Sequence, residues 1–557
     1  MKYVKVWRTV VVGAAAGLLA ASPGAATAQE AARATPPHAF EQATFGPQEV
    51  GIDRLTDGVH MTKDDLSPTR SFTGPTSMLA DPADPKVIVA ATANLRTRVC
   101  YLVRSTDAGQ SWHILDALPS PPDYPSCTSG IAGVAQATIA WGRDSTLYYA
   151  LLGYGPGEGA REGHESIVLA KSTDRGDTWS TTMVVDNRGK SGSEAPSASG
   201  VTGLAVDTSG SKDVVYVGFS QSYDDAPDDS PLNNTPVVVA ASTNGGATFA
   251  EPVNINDFSQ ETQTIAGTSY PLLMTSFFGR PFLAVHDGVL LAVSDSRTPF
   301  DKEPPGDSYY AMPLLVARST DQGRTWSVAT LSPPIFTGTG AQTGMGWTPE
   351  GGPKGTFVLA YAATPETAQS SGTADIVVQR STDEGITWSA PVAIDDDDPA
   401  GLYASFYPQL GVAPNGRVDI VWQDNREQTD YRFQVRYTYS TDGGVTWAHN
   451  VQASDQPVNF NLGVSFNSDI RQPPGVASAN EYAAFGWADT RLGDETTQTQ
   501  DNFGAVAQFA PVPSGSAVLP VVAALFAGLA VAGIILLAVR FMRRRRQDPA
   551  DPAPSTA

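Results

Sequence analysis

Ser105-Thr106-Asp107-Ala108-Gly109-Gln110-Ser111-Trp112 is the stretch that decides the fold, because the chain repeats it five more times. The pattern is Ser-Thr-(Asp/Asn)-x-Gly-x-(Ser/Thr)-(Trp/Phe), and it returns at 172–179, 242–249, 319–326, 381–388 and 440–447. Successive copies begin about 60 to 77 residues apart. A fixed motif at such a spacing indicates one supersecondary unit per copy.

Each position of the motif suits a tight turn between two strands. The third position carries a carboxylate or amide that can bond backbone groups missing a ladder partner. Those residues are Asp107, Asp174, Asn244, Asp321, Asp383 and Asp442. The glycine tolerates a positive φ, and the final aromatic residue is suited to packing beside the hairpin. The motif is therefore predicted to be a structural turn.

The runs around each motif predict four-stranded sheets. The first copy lies between the strand-like runs Val99–Arg104 and His113–Leu115, and a further apolar strand, Val87–Ala91, comes before them. With one more strand upstream, each unit becomes an antiparallel sheet of the kind that forms a propeller blade. The predicted fold is thus an all-β propeller.

The number of blades depends on both ends of the repeat region. After the sixth copy, Tyr482–Trp487 and Asn502–Phe509 predict two strands of a further blade without the motif. An N-terminal segment between Phe40 and Ser71 can supply its outer strand and close the ring. We therefore expect seven blades, with six as the alternative.

The repeated motif resembles the Asp box, or BNR repeat, of the sialidase (neuraminidase) superfamily, and the resemblance covers nearly all of residues 76–510. It implies an Asp-box β-propeller and a glycoside hydrolase of exo-sialidase type that acts on surface glycans. Asp boxes also occur in other hydrolases and in sorting receptors. The chain lacks the Phe/Tyr-Arg-Ile-Pro signature of sialidases, so a non-catalytic propeller that binds glycan or protein is the alternative.

The two ends of the chain predict export and anchoring. A basic start and a short apolar run end at Ala26-Thr27-Ala28, so residues 1–28 read as a signal peptide and 29–75 as the N-terminal segment. After the propeller at 76–510, residues 511–516 form a short stalk. Residues 517–539 are uncharged and long enough to span a bilayer, and arginines begin the tail at 540–557. The tail composition is typical of disorder.

These features predict a single-pass protein of the cell membrane, with the propeller outside and the tail in the cytoplasm, because the arginines flank one side of the span. The net charge of −22 disfavours nucleic acid as a partner, since the overall field repels polyanions. We expect a glycan or a surface protein near the membrane as the partner.

Candidate ligand-binding residues lie in the connections between the second and third strands, on the face opposite the Asp boxes. Three connections open with Asp-x-Arg, at Arg297, Arg426 and Arg491, and Arg96 holds the equivalent place in the first blade. Guanidinium groups bind a substrate carboxylate in a bidentate manner, as three arginines do in sialidases. The alternative is that each Asp and Arg pair within their own hairpin.

Candidates for the nucleophile that the sialidase resemblance implies are Tyr309, Tyr310 and Tyr431, which lie in the same connections. No motif marks any of them, so the catalytic residues are unknown. Surface tyrosines are the alternative interpretation.

Cysteine and acidic residues complete the set of candidates. Cys100 and Cys127 are expected to form a disulfide in an exported chain. No metal site is expected, because the histidines are scattered and CxxC and HExxH are absent from the sequence. The acidic runs at 224–229 and 395–398 leave calcium open as a ligand, although solvated turns are the alternative. No other cofactor is expected.

Overall fold

The computed structural model describes residues 40–510 apart from several gaps. The gaps are 69, 76, 119–137, 154–165, 187–196, 223–235, 266, 276–280, 298–311, 337–343, 348–355, 366–373, 398–403, 427–431, 460–461 and 464–472. The predicted signal peptide, stalk, membrane helix and tail lie outside the described residues.

The described chain forms seven blade sheets, and this confirms the prediction of a seven-bladed propeller. Two further sheets have two strands each: Thr262–Ile265 pairs with Thr268–Pro271, and Thr44–Phe45 pairs with Thr446–Trp447. Blades one to three each run from an inner to an outer strand in chain order. Blade one consists of Ser77–Ala80, Ile88–Asn94, Val99–Ser105 and His113–Ile114. Blade two consists of Thr138–Trp141, Leu147–Gly153, Ser166–Ser172 and Ser180–Val185. Blade three consists of Ser197–Asp207, Val214–Ser222, Val237–Ser242 and Val253–Asn254.

Blades four to six keep the same order. Blade four consists of Phe282–His286, Val289–Arg297, Leu315–Ser319 and Ser327–Thr330, with Leu273–Thr275 added to its second strand. Blade five consists of Gly344–Trp347, Phe357–Pro365, Asp375–Ser381 and Val392–Ala393, with Ile335–Phe336 added to its second strand. Blade six consists of Ser405–Val412, Val418–Asp424, Arg432–Ser440 and Val451–Gln452, with Val458–Asn459 also paired to its third strand.

Blade seven closes the ring by joining the two ends of the described chain. Gly475–Ala479, Tyr482–Asp489 and Asp501–Phe509 come from the C-terminal side. The fourth, outer strand is Ile52–Leu55 from the N-terminal segment, and Val59–His60 pairs with the same third strand. Upstream of it, Glu41–Gln42 pairs with the outer strand of blade five, and Thr44–Phe45 pairs with Thr446–Trp447. The N-terminal segment therefore ties three blades together.

Each Asp box is the turn between the third and fourth strands, and its side chains bond as the sequence suggested. In blade one the Ser105 hydroxyl donates to Asp107 at 2.8 Å and accepts from the Gly109 N–H at 2.9 Å. Asp107 also accepts from the Ser111 N–H at 2.8 Å and from its hydroxyl at 2.6 Å. Trp112 is buried and donates its indole N–H to the Gly109 carbonyl.

The turn requires a left-handed backbone at two successive residues. In the first box Ala108 has a φ of 58° and Gly109 a φ of 86°. Glycine pays no steric cost there, whereas Ala108 adopts a conformation that side chains disfavour. The carboxylate and hydroxyl bonds across the turn hold that conformation in place.

The core lies between neighbouring blades, in separate buried clusters that together occupy every junction of the ring. Blades one and two share a cluster in which Val89 and Leu102 pack with Tyr149 and Val168, all fully buried. The junction that closes the ring holds Val103 of blade one with Ala484 and Val506 of blade seven. Burial of each large side chain contributes about 1.5–3 kcal/mol, so face-to-face blade packing is the main source of stability.

The propeller has two different ends. We call the end formed by the box turns and the first-to-second turns the Asp-box face. The opposite end, formed by the second-to-third connections and the links between blades, is the loop face. Among the described residues the only helices are two short 3-10 turns, Arg143–Ser145 and Ile255–Phe258. No described helix has the length and apolar character that a bilayer crossing requires.

Candidate functional site

The loop face is described mainly in the sector formed by blades six, seven and one. There the connection of blade seven (490–500) and that of blade one (95–98) are both described. The connections of blades two to five, and the segment 427–431 of blade six, lie largely outside the described residues. Tyr309, Tyr310 and Tyr431 fall in those segments, so they remain predictions.

Arg426 is held inside the propeller by two carboxylates. Its guanidinium lies 2.8 Å from Asp424 in its own hairpin and 2.8 Å from Asp396 in the link that leaves blade five. Asp424 also accepts bonds from the Arg426 backbone N–H and from the Trp422 indole. Burial alone would lower the pKa of Arg426, but the two carboxylates raise it above its ordinary value. The guanidinium is therefore charged and already paired.

Arg491 repeats this arrangement one blade further on. It lies 2.7 Å from Asp489 in its own hairpin and 2.7 Å from Asp455 in the link that leaves blade six. The Trp487 indole donates to Asp489 at 2.9 Å, and the guanidinium stacks 4.1 Å from the centre of the Phe503 ring. The Trp-x-Asp-x-Arg sequence thus forms a staple between neighbouring blades, which is the pairing that the alternative interpretation anticipated.

Arg96 differs from these two because it is exposed. Its guanidinium donates to the Thr497 carbonyl of blade seven at 2.9 Å, and its backbone N–H donates to Asn94. Among the three arginines whose side chains are described, it presents the most accessible cation on the loop face. The Arg297 backbone pairs with Leu273, but the structure does not describe the Arg297 side chain.

Asp295 does not correspond to Asp424, although both open an Asp-x-Arg triplet. Asp295 is five residues after Leu290, which pairs with the box serine Ser319. Asp424 is six residues after Val418, which pairs with the box serine Ser440. Successive strand side chains point to opposite faces, so the two aspartates face opposite sides of their blades. The Asp-x-Arg triplet of blade four is therefore shifted by one residue relative to the triplet of blade six, and the two are not structurally equivalent.

Asp295 is instead a buried acid near the loop face of blade four. Both of its carboxylate oxygens are buried and find no hydrogen-bond partner among the described residues. Burial raises its pKa to about 7, because the charged form loses its hydration. A carboxyl group with such a pKa can hold or release a proton near neutral pH. Nothing in the sequence signalled this property, since it depends on which side of the strand is covered.

Two further residues of the loop face were missed by the sequence analysis. Tyr407 has a φ of 57° at a bulge in the inner strand of blade six, near the end that pairs with Asp424. A left-handed backbone is rare for a bulky residue, and such strain concentrates at functional positions. Arg70 binds Asp501 through two bonds of 2.5 and 2.9 Å and ties the N-terminal segment to blade seven.

The predicted disulfide is consistent with the described cysteine. Cys100 is disulfide-bonded, and no free cysteine occurs in the described part of the chain. Cys127, the other cysteine of the chain, lies outside the described residues, so its pairing with Cys100 remains a prediction.

The acidic runs give no metal site in the described part of the chain. No cluster there has enough His, Cys, Asp or Glu side chains to hold an ion. Asp395 is buried, and the backbone N–H of Ile376 donates to it, while Asp396 pairs with Arg426. The acidic run at 224–229 and Asp398 lie outside the described residues.

The central channel contains a cavity of about 450 Å³ between the inner strands. Its walls are mostly apolar, as at Met78, Leu283 and Val412, with Gln409 and Ser478 among the polar groups. Gly203 and Gly475 bring inner strands close together, since an added Cβ would lie 2.1 and 2.0 Å from a neighbouring carbonyl oxygen. The cavity extends to the first-to-second turns at Pro82 and Pro414, on the Asp-box face.

The sequence matches no protein-family model, and it matches no curated protein. Several solved structures are similar in fold. A Hadza microbial sialidase is 13% identical, with 85% of this chain and 98% of that chain covered and a TM-score of 0.42. An α-L-arabinofuranosidase from Fusarium graminearum is 15% identical, with 66% and 92% covered and a TM-score of 0.41. A polysaccharide lyase, an ulvan lyase, is 12% identical, with 81% and 95% covered and a TM-score of 0.43.

Proposed function

We propose that the protein is an exported, membrane-anchored propeller that engages surface glycans through its loop face. The observation that carries the proposal is the asymmetry of the scaffold. Short box turns occupy one face, whereas the strand ends from which the long polar connections leave are on the other. Long loops presented by a rigid scaffold are the usual place for ligand recognition. The glycan class comes from the Asp-box resemblance, and the anchor comes from residues 517–539.

Binding without hydrolysis is the form of this function that the arginines support best. Arg426 and Arg491 each contact two carboxylates, so neither offers a free guanidinium to a substrate carboxylate. Displacing an internal aspartate would leave a buried charge unpaired, which is costly. Recognition of an anionic sugar by the described sector would therefore rest on exposed arginines such as Arg96 and Arg98 of the blade-one connection.

Hydrolysis of sialidase type is the second candidate, and Asp295 favours it. A glycosidase needs an acid that is protonated near neutral pH, and Asp295 has a pKa of about 7. It lies at the end of the second strand of blade four, where the connection 298–311 with Tyr309 and Tyr310 follows.

Turnover of a fluorogenic sialoside by the exported region, residues 29–510, separates the two candidates. Folded wild-type protein is compared with Asp295→Asn, which keeps the shape but cannot exchange the proton, and with Arg96→Ala. If the protein only binds, no variant and no enzyme concentration gives turnover above the blank. Wild-type turnover that falls at least a hundredfold in Asp295→Asn would overturn the binding assignment and establish the hydrolase.

A further inference from the structure

The chain leaves the propeller at the Asp-box face. The strand Asp501–Phe509 begins beside Asp489, at the connection on the loop face, and runs to the other end of blade seven. There the Phe509 N–H donates to the Glu481 carbonyl at 2.9 Å. Glu481 lies in the tight turn between the first and second strands, which belongs to the Asp-box face. Residue 510 and all that follows therefore start from this face.

The chain beyond the propeller is too short to carry it far from an anchor. Six residues, 511–516, separate the propeller from the apolar segment 517–539. Fully extended, they span about 20 Å. With 517–539 in a bilayer, as the proposed function requires, the Asp-box face must lie beside the membrane and the loop face must point away.

Two of the box turns on this face carry an exposed, branched apolar side chain at the sixth position of the motif. Ile386 in blade five is 63% exposed and Val445 in blade six is 48% exposed. The same position holds Gln110, Asp177, Ala247 or Arg324 in the other four boxes. The apolar tips therefore occur on the two consecutive blades that precede the blade from which the chain leaves.

The acidic groups within these two turns are already bonded to other parts of the protein. Asp383 and Asp442 accept bonds from their own box threonines and serines. Glu384 pairs with Arg318 at 3.0 Å. The aspartates are thus bonded within their turns and the glutamate is neutralised, which leaves Ile386 and Val445 as the outermost apolar groups of their turns.

We propose that the Asp-box face of blades five to seven docks on the lipid bilayer, with Ile386 and Val445 in its interfacial layer. Apolar side chains on an otherwise polar surface enter the boundary between headgroups and acyl chains in this way. The inference rests on the proposed anchor. Docking on neutral lipid would hold the propeller upright, so that the loop face is directed towards ligands outside the cell.

The test uses the full-length protein in phosphatidylcholine vesicles. Single cysteines replace Ile386, Val445 or Leu492 and carry an environment-sensitive fluorophore, because Cys100 is disulfide-bonded and the described residues contain no free cysteine. Leu492 is the matched control, since it is 51% exposed on the loop face. Quenching by spin-labelled lipid is then compared after vesicle flotation, with the unfolding temperature of each variant checked.

We expect the probes at 386 and 445 to shift to shorter wavelength and to be quenched at least threefold more than the probe at 492. Equal quenching at all three positions would overturn the inference, and so would a shift without lipid quenching, which would indicate contact with a second copy. Failure of the protein to float would overturn the anchor and this docking together, while sialoside turnover and glycan binding by residues 29–510 would be unaffected.

Discussion

Arg491 of blade seven donates to Asp455 through two bonds of 3.0 and 2.7 Å, and Asp455 belongs to the link that leaves blade six. Arg426 makes the same kind of contact with Asp396 one blade earlier. Each arginine also binds the aspartate two residues before it. The repeated Trp-x-Asp-x-Arg sequence therefore fastens consecutive blades at the loop face, in the way that the Asp boxes stabilise the hairpins at the other face.

Replacement of Arg491 by alanine should destabilise the propeller. It leaves Asp489 buried without its cation, and the loss of one partner of a buried pair costs about 3 kcal/mol or more. Arg491→Lys should cost less, because it keeps the charge but not the two-pronged geometry. Urea unfolding of residues 29–510 measures both. An Arg491→Ala protein as stable as wild type, but weaker in glycan binding, would instead identify Arg491 as a ligand-binding group.

The sequence was sufficient for the fold because the Asp-box bonds are local. Ser105, Asp107, Gly109 and Ser111 lie within one turn, so their spacing carries the geometry. Only one of the two contacts in each inter-blade staple is local in sequence and can be predicted in this way. Arg426 and Asp424 are only two residues apart in sequence, but Asp396 lies 30 residues from Arg426 and becomes a neighbour only through packing of the blades.

Register limited the prediction of the site. The triplets at Asp295 and Asp424 look alike in the sequence. However, Asp295 lies five residues after the strand residue that pairs with its box serine, whereas Asp424 lies six residues after the corresponding residue. A shift of one residue reverses the face of the strand. The strain at Tyr407 likewise comes from a bulge that no sequence pattern marks.

The Asp boxes should make the protein sensitive to acid. The hydroxyl and backbone N–H of Thr178 hold the pKa of Asp174 at about 2. Slight burial alone would raise the pKa of Asp321, but the hydrogen bonds from Thr325 lower it more, and the pKa is again about 2. Because these values lie below the unfolded value of about 3.9, their stabilisation is complete above pH 4 and is lost as the pH falls towards 2.

Asp174→Asn should reduce this acid sensitivity without loss of the fold. The third box already contains Asn244, which accepts from the Thr248 N–H at 3.0 Å and donates to its hydroxyl at 2.8 Å. The reverse change, Asn244→Asp, should increase the loss of stability between pH 4 and pH 2. Unfolding temperatures at several pH values measure both changes. Identical pH profiles for the three proteins would contradict the assigned role of the box carboxylates.

Asp295 should have the opposite pH dependence. Its folded pKa of about 7 lies above the unfolded value of about 3.9, so stability falls as the pH rises between these values and stays lower above pH 7. The loss amounts to as much as about 4 kcal/mol. Asp295→Asn should therefore be the more stable protein at pH 8 and should lack this slope. A wild-type protein whose stability does not change between pH 4 and pH 7 relative to Asp295→Asn would rule out a buried proton at this position.

The buried tyrosines of blades two and six offer a matched pair. The Tyr437 hydroxyl donates to Asp419 at 2.6 Å, whereas the buried Tyr149 hydroxyl has no hydrogen-bond partner among the described residues. Loss of the Tyr437 hydroxyl should cost about 1–2 kcal/mol, because it leaves a buried carboxylate one donor short. Tyr149→Phe should be neutral or slightly stabilising. Urea unfolding distinguishes them, and equal effects of the two substitutions would show that the Asp419 contact contributes nothing to stability.

Binding of residues 29–510 to a panel of immobilised sialylated and neutral glycans tests the account most directly. Arg96→Ala removes one exposed cation of the loop face, and Arg104→Ala is the control, because Arg104 pairs with Asp177 at the Asp-box face. We expect wild type and Arg104→Ala to retain the same glycans equally, and Arg96→Ala to bind the anionic ones at least fivefold more weakly. Absence of glycan binding and turnover by the folded protein, or equal weakening by both substitutions, would contradict recognition of glycans at the loop face.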